Sequence, residues 1–158
     1  MTSRSRRVAL KAGGGAAVYA LAVAAGLIEP ARAQSGWNQA AFGSKSVEDA
    51  TRALGAADFA ESAAVRFGNP TPDIAENGAV VPVTVASTLP GTRSIALLAA
   101  KNPNVLAAQF DIPSGTDAFV STRIKMNETS DVYALVNADG RYYYAKKQIK
   151  VTIGGCGG

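Results

Sequence analysis

The second half of the chain alternates short apolar runs with turn residues about every ten positions. In the last run, Ile149, Val151 and Ile153 alternate with polar residues, so we expect these three side chains to face a core. Asp139-Gly140 is typical of a two-residue hairpin turn. No helical pattern separates the runs, which argues against a parallel sheet. The pattern predicts an immunoglobulin-like antiparallel β-sandwich, with strands at 80–87, 94–100, 105–112, 118–126, 131–138 and 141–153.

A helical pattern precedes these strands and covers residues 35–62. Ser46 followed by Asp49 predicts a helix N-cap, and Gly55 predicts the end of that helix. Prolines follow soon afterwards, and a helix cannot continue through them. The sequence therefore predicts an N-terminal helical segment ahead of the sandwich.

Residues 1–33 have the composition of an export signal. A positive start precedes an apolar run, and Ala31-Arg32-Ala33 forms an A-x-A cleavage pattern. The segment Ser5–Lys11 resembles the twin-arginine export motif, except that Ala9 stands where phenylalanine is usual. An uncleaved anchoring helix is the alternative, although the glycine-containing run is too weakly hydrophobic to predict a membrane span. We predict export to the periplasm through the twin-arginine pathway and no membrane association.

Cleavage after Ala33 would leave three segments in the mature chain. These are the helical segment (34–72), the β-sandwich (73–153) and a C-terminal arm (154–158). The full chain has a net charge of +4. Because the signal carries the excess of basic residues, the mature chain is balanced, and its charge gives no evidence for nucleic-acid binding.

The residue types that are missing restrict the chemistry. The sequence contains no histidine and a single cysteine. Zinc, blue-copper and haem sites are therefore not expected, and neither is a Ser-His-Asp or Cys-His catalytic arrangement. We accordingly predict no metal, no cofactor and no catalytic residue. Because twin-arginine export moves folded chains, we infer that a partner without its own signal travels with this one.

The single cysteine lies two residues from the end of the chain, with a pair of glycines on each side. It has no second cysteine with which to form an internal disulfide. Glycine restricts the backbone little, and an extended five-residue arm reaches roughly 17 Å. We predict that Cys156 is the attachment point for a covalently bound group, on a flexible arm formed by Gly154, Gly155, Gly157 and Gly158.

Two other uses of this C-terminus stay open. In the first, Cys156 forms an intermolecular disulfide between structural or adhesive β-sandwiches. In the second, the terminal diglycine is activated to a thiocarboxylate, as in ubiquitin-like sulfur carriers; the export signal and the β-rich body argue against it. Two roles are open for the three lysines near the end of the last strand, Lys146, Lys147 and Lys150. We predict that they form a solvated strand face. The alternative is that their positive charge favours the thiolate form of Cys156.

The ending Val151–Gly158 resembles that of the SoxY family, the sulfur-carrier subunits of the bacterial thiosulfate-oxidising (Sox) system. Segments 76–83, 101–104 and 121–126 are similar to the same family. The resemblance implies a carrier without enzymatic activity that binds sulfur intermediates on Cys156. It also implies a heterodimer with SoxZ, a smaller β-sandwich protein without a signal, which agrees with the export argument.

The same resemblance implies three kinds of enzyme partner. A haem-containing partner would join thiosulfate oxidatively to the Cys156 thiol. A hydrolase would release the terminal sulfone as sulfate, and a molybdenum-containing dehydrogenase would oxidise the remaining sulfane sulfur. The hydrolase would then free the thiol for another cycle.

Overall fold

The computed structural model describes residues 38–154, and within that range two helices precede nine strands. The helices are α1 (Gln39–Phe42) and α2 (Val47–Ala53). The strands are β1 (Phe59–Glu61), β2 (Val65–Gly68), β3 (Ile74–Asn77), β4 (Val81–Ser87), β5 (Thr92–Ala99), β6 (Leu106–Asp111), β7 (Phe119–Ile124), β8 (Ser130–Ala138) and β9 (Arg141–Ile153).

The strands form two sheets, which share a core. The larger sheet has the order β1-β9-β8-β5-β6, with β3 also paired to β9, and the smaller sheet has the order β2-β4-β7. The predicted β-sandwich is confirmed. The predicted strand limits agree with the structure to within two residues, and those of β9 agree at both ends. The predicted hairpin is also present, because Asp139 and Gly140 have positive φ angles of 48° and 81° between β8 and β9.

The core has two parts, on the two faces of the larger sheet. Along β5, Ile95 and Leu97 belong to the cluster shared with the smaller sheet. Ala96 and Leu98 belong to the cluster shared with the helices. Both faces of this strand are buried, so its apolar residues form a continuous run instead of alternating with polar ones.

The N-terminal segment is helical over part of its predicted length. The Ser46 hydroxyl accepts a hydrogen bond from the Asp49 N–H at 3.1 Å, and Gly55 follows α2 with a φ of 84°. The predicted cap and helix end are therefore confirmed. The prediction of helix throughout 35–62 is wrong at its C-terminal end, because β1 pairs with Tyr142–Tyr144 of β9.

Two details of β9 differ from the sequence prediction. The short strands β1 and β3 both pair with it in parallel, although neighbouring strands elsewhere in the described sheets are antiparallel. The expected inward position of Ile153 is wrong. Ile149 is fully buried, whereas Ile153 is 63% exposed because β9 continues beyond the core.

Candidate functional site

The structure describes one of the predicted site residues, Gly154, which is half-buried. The other four lie outside the described residues: Gly155, Cys156, Gly157 and Gly158. The geometry that bears on the site is therefore that of the segment from which the arm begins. We define the arm root as Val151–Gly154 together with the β3–β4 loop (78–80) and the β7–β8 loop (125–129).

Hydrogen bonds hold the end of β9 from both sides. On one side, the Gly78 N–H donates to the Ile153 carbonyl at 2.8 Å. On the other side, the Val151 N–H donates to Thr129 Oγ1 at 3.0 Å. The last residues of the strand therefore have partners for their backbone groups, including Ile153, whose side chain lies outside the core. The arm starts from a fixed position.

Gly154 lies directly against the β7–β8 loop. A Cβ atom at this position would overlap the carbonyl oxygen of Asn127, which is a backbone atom and cannot swing away. Glycine is therefore required here by the close approach of two backbone segments. The conformational freedom of the arm at Gly154 stays a prediction. The close contact with Asn127 is a second reason for a glycine at this position, and the sequence did not indicate it.

The side chain of Asn102, in the β5–β6 loop, fixes the β7–β8 loop. Its Nδ2 donates to the Lys125 carbonyl at 2.7 Å, and its Oδ1 accepts from the Asn127 N–H at 2.9 Å. Between these two residues, the Met126 N–H donates to the Gly78 carbonyl at 2.7 Å. The local sequence around Asn102 does not indicate this role, because nothing in it pairs Asn102 with a loop so far along the chain.

The segments that carry the resemblance to the SoxY family meet at the arm root. Segment 76–83 contributes Gly78, and segment 101–104 contributes Asn102. Segment 121–126 leads into the β7–β8 loop, which both of them contact. Segments that read as ordinary turns and strands in the sequence thus form one structure around the start of the arm.

The lysines of β9 are only partly available to influence a thiol. Lys146 pairs with Asp131 at 3.7 Å, and Lys147 pairs with Asp73 at 3.0 Å. Lys150 is exposed and forms no ion pair with any of the residues 38–154. The predicted solvated strand face is present for Lys146 and Lys150, which are exposed. It is wrong for Lys147, which lies on the opposite face of β9, is half-buried and also donates to the Thr71 carbonyl at 3.0 Å.

Within residues 38–154, the arm root can be compared with three other kinds of site: a cleft, a metal site and a membrane-spanning helix. A cleft of about 800 Å³ lies at the opposite end of the sandwich, where its lining includes Arg93, Gly115 and Asp139. The described residues contain no group of three or more His, Cys, Asp or Glu placed to hold a metal. In the same range, no helix combines the length and the apolar character needed to cross a membrane.

Comparison with known proteins gives this site its context. Residues 38–156 match the family described as "Sulfur oxidation protein SoxY". The chain belongs to the SoxY family. Among solved structures it is similar to the sulfur carrier protein SoxY from Chlorobium limicola f thiosulfatophilum, with 36% identity over 73% of this chain and 100% of that chain and a TM-score of 0.61. The resemblance seen in the sequence is confirmed.

A second solved structure is much less similar. Superoxide reductase (neelaredoxin) from Ignicoccus hospitalis is 18% identical over 63% of this chain and 86% of that chain, with a TM-score of 0.48. No curated protein matches the sequence. The SoxY family match and the Chlorobium structure together support a sulfur-carrier role.

Proposed function

We propose that this chain carries sulfur intermediates covalently on Cys156 during periplasmic thiosulfate oxidation and presents them to partner enzymes. The observation that carries the proposal is that the SoxY match extends to residue 156, the single cysteine of the sequence. The held end of β9 supports it, because a carrier needs a defined origin for its arm. On this proposal the chain catalyses no step, and its partners act on the bound sulfur.

Loading joins the Sγ atom of Cys156 to the sulfane sulfur of thiosulfate. The thiol loses one proton, and two electrons pass to a haem-containing partner. The product is a cysteine S-thiosulfonate, and its sulfur–sulfur bond is reversible, as a carrier requires. The thiolate is the reactive form of cysteine. A free cysteine has a pKa of about 8.5, so an exposed one is a few per cent thiolate near neutral pH.

Unloading alternates hydrolysis with oxidation. A hydrolase adds water to the terminal sulfone, which leaves as sulfate with two protons, and Cys156 keeps a persulfide anion. A dehydrogenase then removes six electrons from the outer sulfur, while three water molecules supply the oxygens and six protons are released. A second hydrolysis releases sulfate and one proton and returns the thiol.

The remaining parts of the proposal concern the partner subunit and the compartment. A SoxZ-type β-sandwich subunit would form a heterodimer with this chain. The balanced charge of the mature sequence supports association, because little net charge keeps two such surfaces apart. The signal-like residues 1–33 support export to the periplasm by the twin-arginine pathway.

Intact-mass measurement of the purified chain, with and without reductant, tests the attachment point. After incubation with thiosulfate and the haem-containing partner, we expect added sulfur or thiosulfate mass that reductant removes. The Cys156→Ser variant should acquire no such mass and should not support thiosulfate oxidation, because serine cannot form the sulfur–sulfur bond. It should still bind the SoxZ-type subunit.

Each alternative use of the C-terminus has its own mass signature. An intermolecular disulfide gives a doubled mass and nothing smaller. A thiocarboxylate gives replacement of one terminal oxygen by sulfur, which Cys156→Ser would leave unchanged. Thiosulfate oxidation at the wild-type rate with Cys156→Ser would rule out the carrier assignment.

A further inference from the structure

The motif Asn77-Gly78 forms a turn after β3, and the proposed carrier function makes no use of its side chain. Asparagine is a thermolabile residue. It is most labile before glycine, because glycine has no side chain to shield its backbone nitrogen from the neighbouring amide carbon. Asn77 is exposed, and it is the one asparagine of the sequence that precedes a glycine.

Loss of the Asn77 amide group begins when the backbone nitrogen of Gly78 attacks the Asn77 Cγ atom. The nitrogen gives up its proton and forms a bond to Cγ, and the bond from Cγ to Nδ2 breaks to release ammonia. Water then opens the cyclic imide at either of its carbonyls and leaves aspartate or isoaspartate at position 77. Nothing is oxidised or reduced, and water is the only co-reactant.

One hydrogen bond prepares the Asn77 side chain for this attack. The Ala79 N–H donates to Asn77 Oδ1 at 2.8 Å. A donor on this oxygen draws electron density from Cγ and stabilises the negative charge that the oxygen acquires during the attack. The electrophile of the reaction is therefore already activated in the folded loop.

Two other hydrogen bonds restrain the nucleophile. The Gly78 N–H donates to the Ile153 carbonyl at 2.8 Å, so the end of β9 keeps the proton on this nitrogen. The Gly78 carbonyl accepts from the Met126 N–H at 2.7 Å, which fixes the peptide group on its other side. The Gly78 nitrogen cannot lose its proton and approach Cγ until its bond to Ile153 opens.

The bond that restrains Gly78 lies at an exposed strand end. The Ile153 side chain is 63% exposed, and hydrogen bonds at such places open more readily than those inside a core. A second bond joins the end of β9 to the same loop. Thr152 Oγ1 donates to the carbonyl of Glu76, the residue before Asn77, at 2.8 Å. Opening of the end of β9 therefore requires the loss of both bonds.

We propose that Asn77 is a site of spontaneous deamidation whose rate is controlled by opening of the end of β9. While the end of β9 is closed, the Gly78 nitrogen is held and Asn77 is protected. When it opens, the activated side chain reacts. Isoaspartate lengthens the main chain before Gly78, so the bond to Ile153 cannot re-form in register. The arm root then loses a support on one side of β9, and the modification ages the chain irreversibly. The reaction does not depend on the carrier function.

The chain offers a matched pair of variants for the test. Thr152→Val removes the bond to the Glu76 carbonyl and keeps the shape of the side chain. Thr116→Val makes the same change at another exposed threonine, whose hydroxyl donates to the Pro113 carbonyl at 2.7 Å. Thr116 lines the cleft at the opposite end of the sandwich, so its replacement leaves the end of β9 untouched.

The purified full chain is incubated in mildly alkaline buffer, and peptide mass mapping follows the fraction of aspartate and isoaspartate at position 77. We expect the folded wild type to react at least about tenfold more slowly than the urea-unfolded chain, because reaction needs local opening. Thr152→Val should react about fivefold faster than the folded wild type, the factor for one hydrogen bond of average strength. Thr116→Val should match the wild type.

Three results would overturn the proposal. Equal rates in the folded and unfolded wild type would mean that the bond to Ile153 gives no protection. A wild-type rate in Thr152→Val, or an equal gain in Thr116→Val, would mean that the end of β9 does not control the reaction. Absence of product from every folded chain, over the time in which the unfolded chain reacts fully, would mean that this strand end does not open.

Discussion

The absence of a side chain at Gly154 has two consequences, one predicted from the sequence and one seen in the structure. The sequence predicts a glycine that frees the arm, and this stays a prediction. The coordinates add a contact with the Asn127 carbonyl oxygen that leaves no space for a Cβ atom. A sequence pattern could not have indicated this contact, since it depends on how the β7–β8 loop is held by Asn102, a residue from a different hairpin.

We therefore expect Gly154→Ala to destabilise the protein. The new methyl group must push the end of β9 away from the β7–β8 loop, and forced overpacking of this kind costs about 1–3 kcal/mol. Urea unfolding measures the change in the free energy of unfolding. Loading of Cys156 should slow as well, because displacement of the arm root moves the thiol relative to the enzyme.

Gly115→Ala is a useful comparison for that variant. Gly115 has a φ of 83° and nothing within 4 Å of a Cβ position, so alanine there adds backbone strain without a clash. Its effect on stability should come without any change in loading. If Gly154→Ala were as stable as the wild type, the close approach to Asn127 would not constrain the arm root.

Among the strands, β9 shows which structural features a local sequence pattern can predict and which it cannot. Its limits followed from alternation and from the Asp139-Gly140 turn, both of which are local signals. The exposure of Ile153 did not follow, because alternation gives the face of a side chain and not how far the core extends. The parallel partners β1 and β3 were also missed as partners of β9. They are short, and they pair with a strand far along the chain.

The contact between the helical segment and β9 gives a prediction at the scale of elements. The Tyr142 hydroxyl donates to the Leu54 carbonyl at the end of α2, at 2.6 Å. We expect Tyr142→Phe to lower the free energy of unfolding by about 1 kcal/mol, the usual worth of one such bond. Urea unfolding followed by fluorescence or circular dichroism measures it.

Tyr143→Phe is the matched control on the neighbouring residue. Tyr143 is half-buried like Tyr142, and it packs against the core cluster on the other face of the sheet. Within residues 38–154 its hydroxyl donates no hydrogen bond, so removing it should change stability little. An equal loss in both variants would mean that the bond to Leu54 does not hold the helical segment to the sheet.

At the scale of the whole molecule, the two features that carry the functional prediction lie at the two ends of the sequence and not in the domain between them. The excess basic charge lies in residues 1–33, and the single thiol lies two residues from the other end. The balanced β-sandwich between them matches the SoxY family from residue 38 onward. This division is consistent with a folded carrier that is exported as a unit and is then acted on by other proteins.

The proposed export of the chain in a folded state leads to a prediction about the partner. The double variant Arg6→Lys, Arg7→Lys removes the twin-arginine pair and keeps its charge, so we expect it to retain this chain in the cytoplasm. A SoxZ-type subunit without its own signal should stay inside with it, and cell fractionation with antibodies to both proteins measures this. Arg4→Lys is the control, because it makes the same chemical change outside the pair and should leave both proteins in the periplasm. If the SoxZ-type subunit still reached the periplasm while the double variant stayed in the cytoplasm, the subunit would be exported independently. Co-export could then not be the reason for a twin-arginine signal on a chain that is predicted to hold no cofactor.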